Sequence, residues 1–246
     1  MKTAKRLICL SLVILSLAFF AQLGAQKGPA GRKTLKKIEN TDPALRMKWY
    51  EQHQAMKAST PFKNINWRFI GGYLDSIGGR CTDVDVPKGS LYTIYVASAS
   101  GGLWKTDNAG VTWEPLTDDF PTLSFGDIAI SESNPQIIYA GTGEANIFRA
   151  SIAGTGIWKS TDGGKTWQHM GLTDTNTIGR IRIHPSNPDI VYVAASGHEW
   201  TYNQERGVYK TVDGGKSWQK VLYLNEKTGA IDLVMDPKNP DVLIAS

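Results

Sequence analysis

Cysteine is almost missing from this sequence: Cys9 and Cys81 are the two that 246 residues contain. Cys9 lies in an apolar run from Leu7 to Phe20 that follows Lys2, Lys5 and Arg6 and precedes the small residues Gly24 and Ala25. That order is the layout of a secretory signal peptide, so residues 1–25 are expected to be removed and Cys81 to remain alone. A lone thiol forms no internal bridge, which excludes a disulfide-stapled scaffold. Long apolar runs are scarce too. The longest spans 14 residues, short of the roughly 20 that cross a bilayer, so no transmembrane segment is expected after cleavage. Histidine is sparse: His53, His169, His184 and His198 stand apart, without ligand spacing, and neither a metal nor any other cofactor is expected. A basic face is lacking as well. Residues 27–60 carry eight basic and three acidic side chains, but residues 61–246 carry 16 and 20, a net of −4. Nucleic acid is therefore not an expected partner.

What the sequence does contain is a repeat. GGLWKTDNAGVTW (101–113), TGIWKSTDGGKTW (155–167) and RGVYKTVDGGKSW (206–218) superpose, with Thr106, Ser160 and Thr211 spaced by 54 and 51 residues. A second marker runs in phase. Asn-Pro pairs at Asn134, Asn187 and Asn239, spaced by 53 and 52, follow short strand-like runs that begin at Asp127, Arg180 and Asp232. A looser copy starts at Asp83. Short β-branched and aromatic runs punctuated by Gly, Pro and Asn read as strands. Four strands in about 50 residues make a propeller blade. The fold expected is all-β, a propeller of four-stranded blades with about three and a half blades present. The remaining blades are expected from a longer chain. The division expected is a signal peptide over 1–25, a basic and partly helical arm over 26–62, and an incomplete propeller over 63–246. In the arm, Asp42 and Pro43 form an N-cap and first-turn proline ahead of good helix formers from Ala44 to Lys57. The arm's positive charge reads as a solvated tail.

The turns 160–167 and 211–218 are Asp-boxes, also called BNR repeats. Asp162 and Asp213 can accept hydrogen bonds from the turn's own N–H groups, glycines allow positive φ, and Trp167 and Trp218 pack on the blade. In the first copy Asn108 replaces the aspartate and Ala109 a glycine, ahead of Trp113; the turn is expected to survive. These residues recur once per blade, so their role is structural.

From about Trp67 to Ser246 the chain resembles secreted BNR-repeat propellers of the glycosyl-hydrolase-like and sortilin N-terminal-domain-like kind. The resemblance is carried by WRFIG (67–71), GGR (78–80), GTGE (141–144), GRIRIHPSNP (179–188) and the three Asp-box segments. Such propellers include sialidases, xyloglucanases, sortilin-type peptide receptors and photosystem assembly factors, so the fold alone does not choose among functions. The resemblance implies export to the extracellular space, the cell surface or the periplasm. It also implies a glycan, or an extracellular peptide or protein, as ligand. By its place after a Gly-rich stretch, Asp83 is similar to a xyloglucanase catalytic carboxylate. The same position recurs as Asp127, Arg180 and Asp232, which favours a bond between neighbouring blades.

Loop length points elsewhere. The connection between second and third strands is minimal at 98–102 but long at 141–155 and 196–206. Insertions at one repeated position fall on one face, where propellers commonly bind ligands. The candidate ligand residues there are Glu144, Asn146, Arg149, His198, Glu199, Trp200 and Tyr202, with Phe148 beside them. Glu144 and Glu199 occupy similar points in their loops, as a glycoside hydrolase's two carboxylates would. Trp200 and Phe148 could stack on a ligand or pack onto their own blades.

Overall fold

The computed structural model of the protein describes residues 42–65, 79–146 and 151–246, all within one unit, Asn40–Ser246. The signal expected over 1–25, the arm up to residue 41 and the WRFI segment at 67–70 lie outside the described residues.

Three antiparallel sheets of four strands follow one another along the chain. The first holds β1 (Cys81–Asp85), β2 (Ile94–Ser98), β3 (Gly102–Thr106) and β4 (Glu114–Pro115). The second holds β5 (Phe125–Ile130), β6 (Ile138–Thr142), β7 (Ile157–Ser160) and β8 (Gln168–His169). The third holds β9 (Ile178–His184), β10 (Asn187–Ala195), β11 (Gly207–Thr211) and β12 (Gln219–Leu222). A pair, β13 (Leu233–Met235) and β14 (Leu243–Ala245), begins a fourth. Each sheet is ordered as its strands occur, the meander of a propeller blade. The arc of blades is not closed within these residues.

The core lies between blades, and the period of two along a strand builds it. In β6, Ile138 and Ala140 face Tyr95, Ala97 and Leu103 of the first blade, whereas Tyr139 faces Ile178, Ile181 and Val191 of the third. In β10, Val191, Val193 and Ala195 face the second blade, and Tyr192 and Ala194 face Ala230 and Leu233 of the fourth. Every middle strand is thus buried on both faces, which explains its apolar sequence.

The Asp-boxes occupy the turns between third and fourth strands. In the second, Thr166 N donates to Asp162 Oδ1 (2.9 Å), Thr166 Oγ1 to Asp162 Oδ2 (2.6 Å) and Gly164 N to Ser160 Oγ (2.8 Å). The third copy repeats this with Asp213, Ser217 and Thr211. In the first, Thr112 N donates to Asn108 Oδ1 (2.9 Å) and Gly110 N to Thr106 Oγ1 (2.9 Å), so the turn survives the exchange to asparagine. Each blade also grips the next blade's turn. Tyr95 Oη donates to Gly163 O (3.0 Å), and Lys159 Nζ to Gly214 O (3.3 Å) while lying 5.0 Å from the Tyr139 ring centre.

Ahead of the blades runs helix α1 (Pro43–Ser59). Asp42 Oδ1 accepts from Ala44 N (2.9 Å), the cap that the sequence indicates. The helix is not a solvated tail. Met47 and Tyr50 pack against the cluster between the first two blades, with the Tyr50 ring edge-on to Trp158 at 6.0 Å. Arg46 Nη1 donates to Gly154 O, and Lys57 pairs with Asp119.

Candidate functional site

First strands start, and second strands end, on one face: Cys81 pairs with Ser98, Phe125 with Thr142, and Ile178 with Ala195. The loops that follow second strands therefore share this face with the connections between blades, and the Asp-boxes lie on the opposite one. Their observed spans, 99–101, 143–156 and 196–206, match the lengths read from the sequence.

Glu144 sits at the base of the second loop, 3% exposed, and forms an ion pair with Arg80. The contact is close but carries no well-directed hydrogen bond to Oε1. Glu199 sits in the third loop. Burial pushes its carboxyl above the usual range; a hydrogen bond from Ser151 pulls it back, and the nearby charge of Glu144 adds to the rise. The two loops thus bring the two carboxylates into electrostatic reach, in unlike settings: Glu144 beside a guanidinium, Glu199 desolvated beside a hydroxyl.

His198 is turned toward the second blade's end. It is 12% exposed, and its Nε2 lies 2.8 Å from Asp174 O and 3.1 Å from Asp174 Oδ1, in the 3-10 turn Thr173–Thr175 between the blades. Its backbone carbonyl accepts from Asn203 Nδ2 (2.9 Å) and Arg206 Nη2 (2.7 Å), which fold the loop on itself. These bonds leave Trp200 and Tyr202 pointing outward, each 69% exposed. Trp200 does not pack onto its own blade, and Lys227 Nζ lies 5.0 Å from the Tyr202 ring centre. Asn146 is exposed at the rim. Phe148 and Arg149 lie outside the described residues.

Asp83 belongs to a separate constellation. Its Oδ2 accepts from Ile128 N of the second blade (3.3 Å), and its Oδ1 lies 3.3 Å from Arg180 Nη1. Asp127, fully buried, accepts from Ile181 N (2.6 Å) and from the same Arg180 Nη1 (2.8 Å), while Arg180 Nε donates to Asp232 Oδ1 (2.8 Å). One arginine thus joins the first strands of all four blades. Burial lifts Asp127 well above the usual carboxylate range, and the charge of Asp83 adds to this against the pull of Arg180. For Arg180 itself burial works downward, yet Asp127, Asp232 and Asp83 together raise its pKa. Gly126 and Gly179 stand just before Asp127 and Arg180; a Cβ at either would collide with the next blade's backbone, at Ile178 O or Ile231 O.

A family model described as Sortilin-Vps10 (sortilin, neurotensin receptor 3) matches residues 155–246. A xyloglucanase of Acetivibrio thermocellus is 26% identical over 179 residues, 66% of this chain and 19% of that protein. The chain is a β-propeller similar, over part of its length, to sortilin-type and xyloglucanase proteins. Vacuolar protein sorting/targeting protein 10 of Sordaria macrospora is 26% identical over 192 residues, 73% of the propeller chain and 12% of its own length. The GH74 xyloglucanase from Xanthomonas campestris shares the fold, with a TM-score of 0.52 and 18% identity over 67% of this chain and 26% of that one. The propeller chain spans about a fifth or less of the length of these curated relatives. No helix among the described residues is long and apolar enough to cross a membrane.

Several buried polar side-chain atoms have no hydrogen-bond partner within the chain. Among the described residues these are Arg46 Nε and Nη2, Ser124 Oγ, Glu199 Oε1 and Arg206 Nε, together with Glu144 Oε1, which is met by the Arg80 ion pair. All lie on the long-loop face or on the helix that docks there, and none is in an Asp-box. Sequence reasoning found Glu144 and Glu199 by loop length. It missed Arg46, Arg80, Ser124 and Arg206, although Arg80 ends the GGR segment that contributes to the resemblance.

Proposed function

We propose that the long-loop face binds an extracellular glycan, with Glu144 and Glu199 at its floor and Trp200, Tyr202 and Asn146 at its rim. The observation that carries this reading is the set of orphaned polar atoms. It mixes guanidinium donors with carboxylate acceptors and a hydroxyl, and sugar hydroxyls both donate and accept. Exposed aromatic rings beside them supply the flat apolar surface on which a pyranose stacks. His198 holds the third loop in place through Asp174. The relatives named xyloglucanases favour the same ligand class.

Glu144 and Glu199 also have the contrasting environments that an acid–base pair requires. Burial raises the Glu199 carboxyl above its usual range, and Glu144 lies against the Arg80 guanidinium. Hydrolysis, where the face supports it, is assigned to this pair, and Asp83, occupied by Ile128 and Arg180, is assigned to joining the blades. A second reading has one observation behind it. The sortilin family model covers the third blade with its loop, which favours peptide recognition without catalysis. In either case the site works outside the cytoplasm, in line with the signal read at residues 1–25.

Glycan arrays, peptide arrays and hydrolysis assays on the purified exported protein separate these readings. Glycan binding is expected, weakened about tenfold or more by Glu144→Ala or Glu199→Ala, since each removes a carboxylate acceptor for sugar hydroxyls. Binding and turnover unchanged in both variants would remove these loops from the account. Selective peptide capture with no glycan bound would favour the second reading.

A further inference from the structure

Helix α1 is lightly seated. No residue of it is buried as a whole, Met47 and Tyr50 make its apolar contact with the blades, and Tyr50 lines two cavities of about 320 and 260 Å³. An element with so few buried contacts opens more readily than the strands beneath it. Yet two routes of contact lead from its first turns to neighbouring residues of the third loop. In one, Arg46 Nη1 donates to Gly154 O in the second loop. Gly154 has no room to shift: its N donates to Asn176 O (2.7 Å), and a Cβ there would meet the Thr142 carbonyl carbon at 2.3 Å. Three residues earlier in the same loop, Ser151 hydrogen-bonds Glu199. In the other route, α1 lies against the 3-10 turn Thr173–Thr175, and Arg46 sits in the field of Asp174. Asp174 in turn holds His198 through its carbonyl and its carboxylate. The routes end on adjacent residues, 198 and 199. The far end of α1 is anchored elsewhere, by Lys57 and Gln54 on Asp119.

We propose that α1 is a strap that regulates the long-loop face. Seated, it holds both long loops in the arrangement that forms the site; lifted, it releases them together and weakens binding. Arg46 is then a positioning residue, acting through Gly154. The proposal takes from the glycan reading only what the face binds; the coupling of helix to loops stands on the contacts above. Because coupling is reciprocal, whatever occupies the loops also tightens the helix.

Hydrogen exchange of the purified protein without ligand tests the coupling, comparing wild type with Tyr50→Ala, Arg46→Met and Arg46→Lys. Residues 151–155 and 196–203 are expected to exchange at least about fivefold faster in Tyr50→Ala and Arg46→Met, along with α1 itself. Arg46→Lys, which keeps a donor for Gly154 O, should restore most of the protection. The short first loop at 99–101, strands β6 and β10 and the Asp-box turns should keep wild-type rates, which a general loss of stability would not allow. Loops at wild-type rates while α1 exchanges freely would overturn the proposal. So would an α1 that stays protected in both Tyr50→Ala and Arg46→Met, or loosening shared equally with the first loop and the Asp-box turns. A glycan array probed with wild type and Tyr50→Ala tests the consequence for binding. Glycans held by wild type should lose at least about fivefold in signal in the variant, and equal signal would overturn the regulatory role. An array bare for both proteins would overturn the glycan reading and leave the exchange result to decide the strap.

Discussion

At position 108 an asparagine holds a turn that aspartates hold at 162 and 213, and the comparison shows what the charge adds. Asn108 keeps the bond from Thr112 N, but towards the Thr112 hydroxyl it donates through Nδ2, where Asp162 and Asp213 accept. Hydrogen bonds from Thr166, first from its side chain and then from its backbone, lower Asp162 to about 2. A carboxylate depressed in the folded state adds stability that is present above its ordinary value near 4 and lost as pH falls towards 2. Asp162→Asn is therefore expected to lower the melting temperature near neutrality by a small amount. The gap from wild type should close between about pH 4 and pH 2. Asp162→Ala, which also loses the bond from Thr166 N, should cost about 1 kcal/mol once solvent screening is allowed for. Thermal melts across this range check both. The neighbouring position gives an opposite prediction. Ala109 adopts φ 56°, where Gly163 and Gly214 adopt 72° and 75°. Ala109→Gly should therefore stabilise the first blade by about 0.5–1 kcal/mol, read as a raised midpoint in urea.

Among elements, α1 shows where sequence reasoning succeeds and where it stops. Its start and length are legible because capping is local chemistry: an aspartate, a proline and a run of helix formers. Its docking is not, because Met47 and Tyr50 meet partners such as Trp158 from a distant part of the chain. The blades divide in the same way. Their number, the Asp-boxes and the long loops follow from turn residues at a fixed period. The pairing of Arg80 with Glu144 and the meeting of Asp83, Asp127 and Asp232 at Arg180 arise only once the arc curves. The sequence places these four residues at equivalent points but does not reveal that one cation serves three anions. Likewise, whether Trp200 stacks outward or packs inward depends on how Asn203 and Arg206 fold the loop. For α1, Tyr50→Ala should free the helix without unfolding the blades. Hydrogen exchange of residues 43–59 is expected to lose protection while β6 and β10 keep theirs; coincident loss in all three would show that helix and blades unfold as one.

Across the whole molecule, the blades are joined by apolar cores between neighbours and by one polar hub. Arg180→Met would strand Asp127 as a buried charge, which should cost about 3–5 kcal/mol at neutral pH. Because burial already raises Asp127, protonation relieves the stranded charge. The loss should therefore shrink as pH falls through its elevated pKa, at higher pH than the gap at Asp162 closes. Among the described residues, the Asp-box turns hold no buried polar side-chain atom without a hydrogen bond, whereas the long-loop face does, and that asymmetry is the basis for assigning the ligand site. Hydrogen–deuterium exchange of the protein with and without a bound oligosaccharide tests it most directly. Ligand is expected to protect residues 143–146, 151–155 and 196–206 and to leave the Asp-box turns at 106–113, 160–167 and 211–218 unchanged. Protection confined to those turns, with both long loops exchanging as before, would contradict the account.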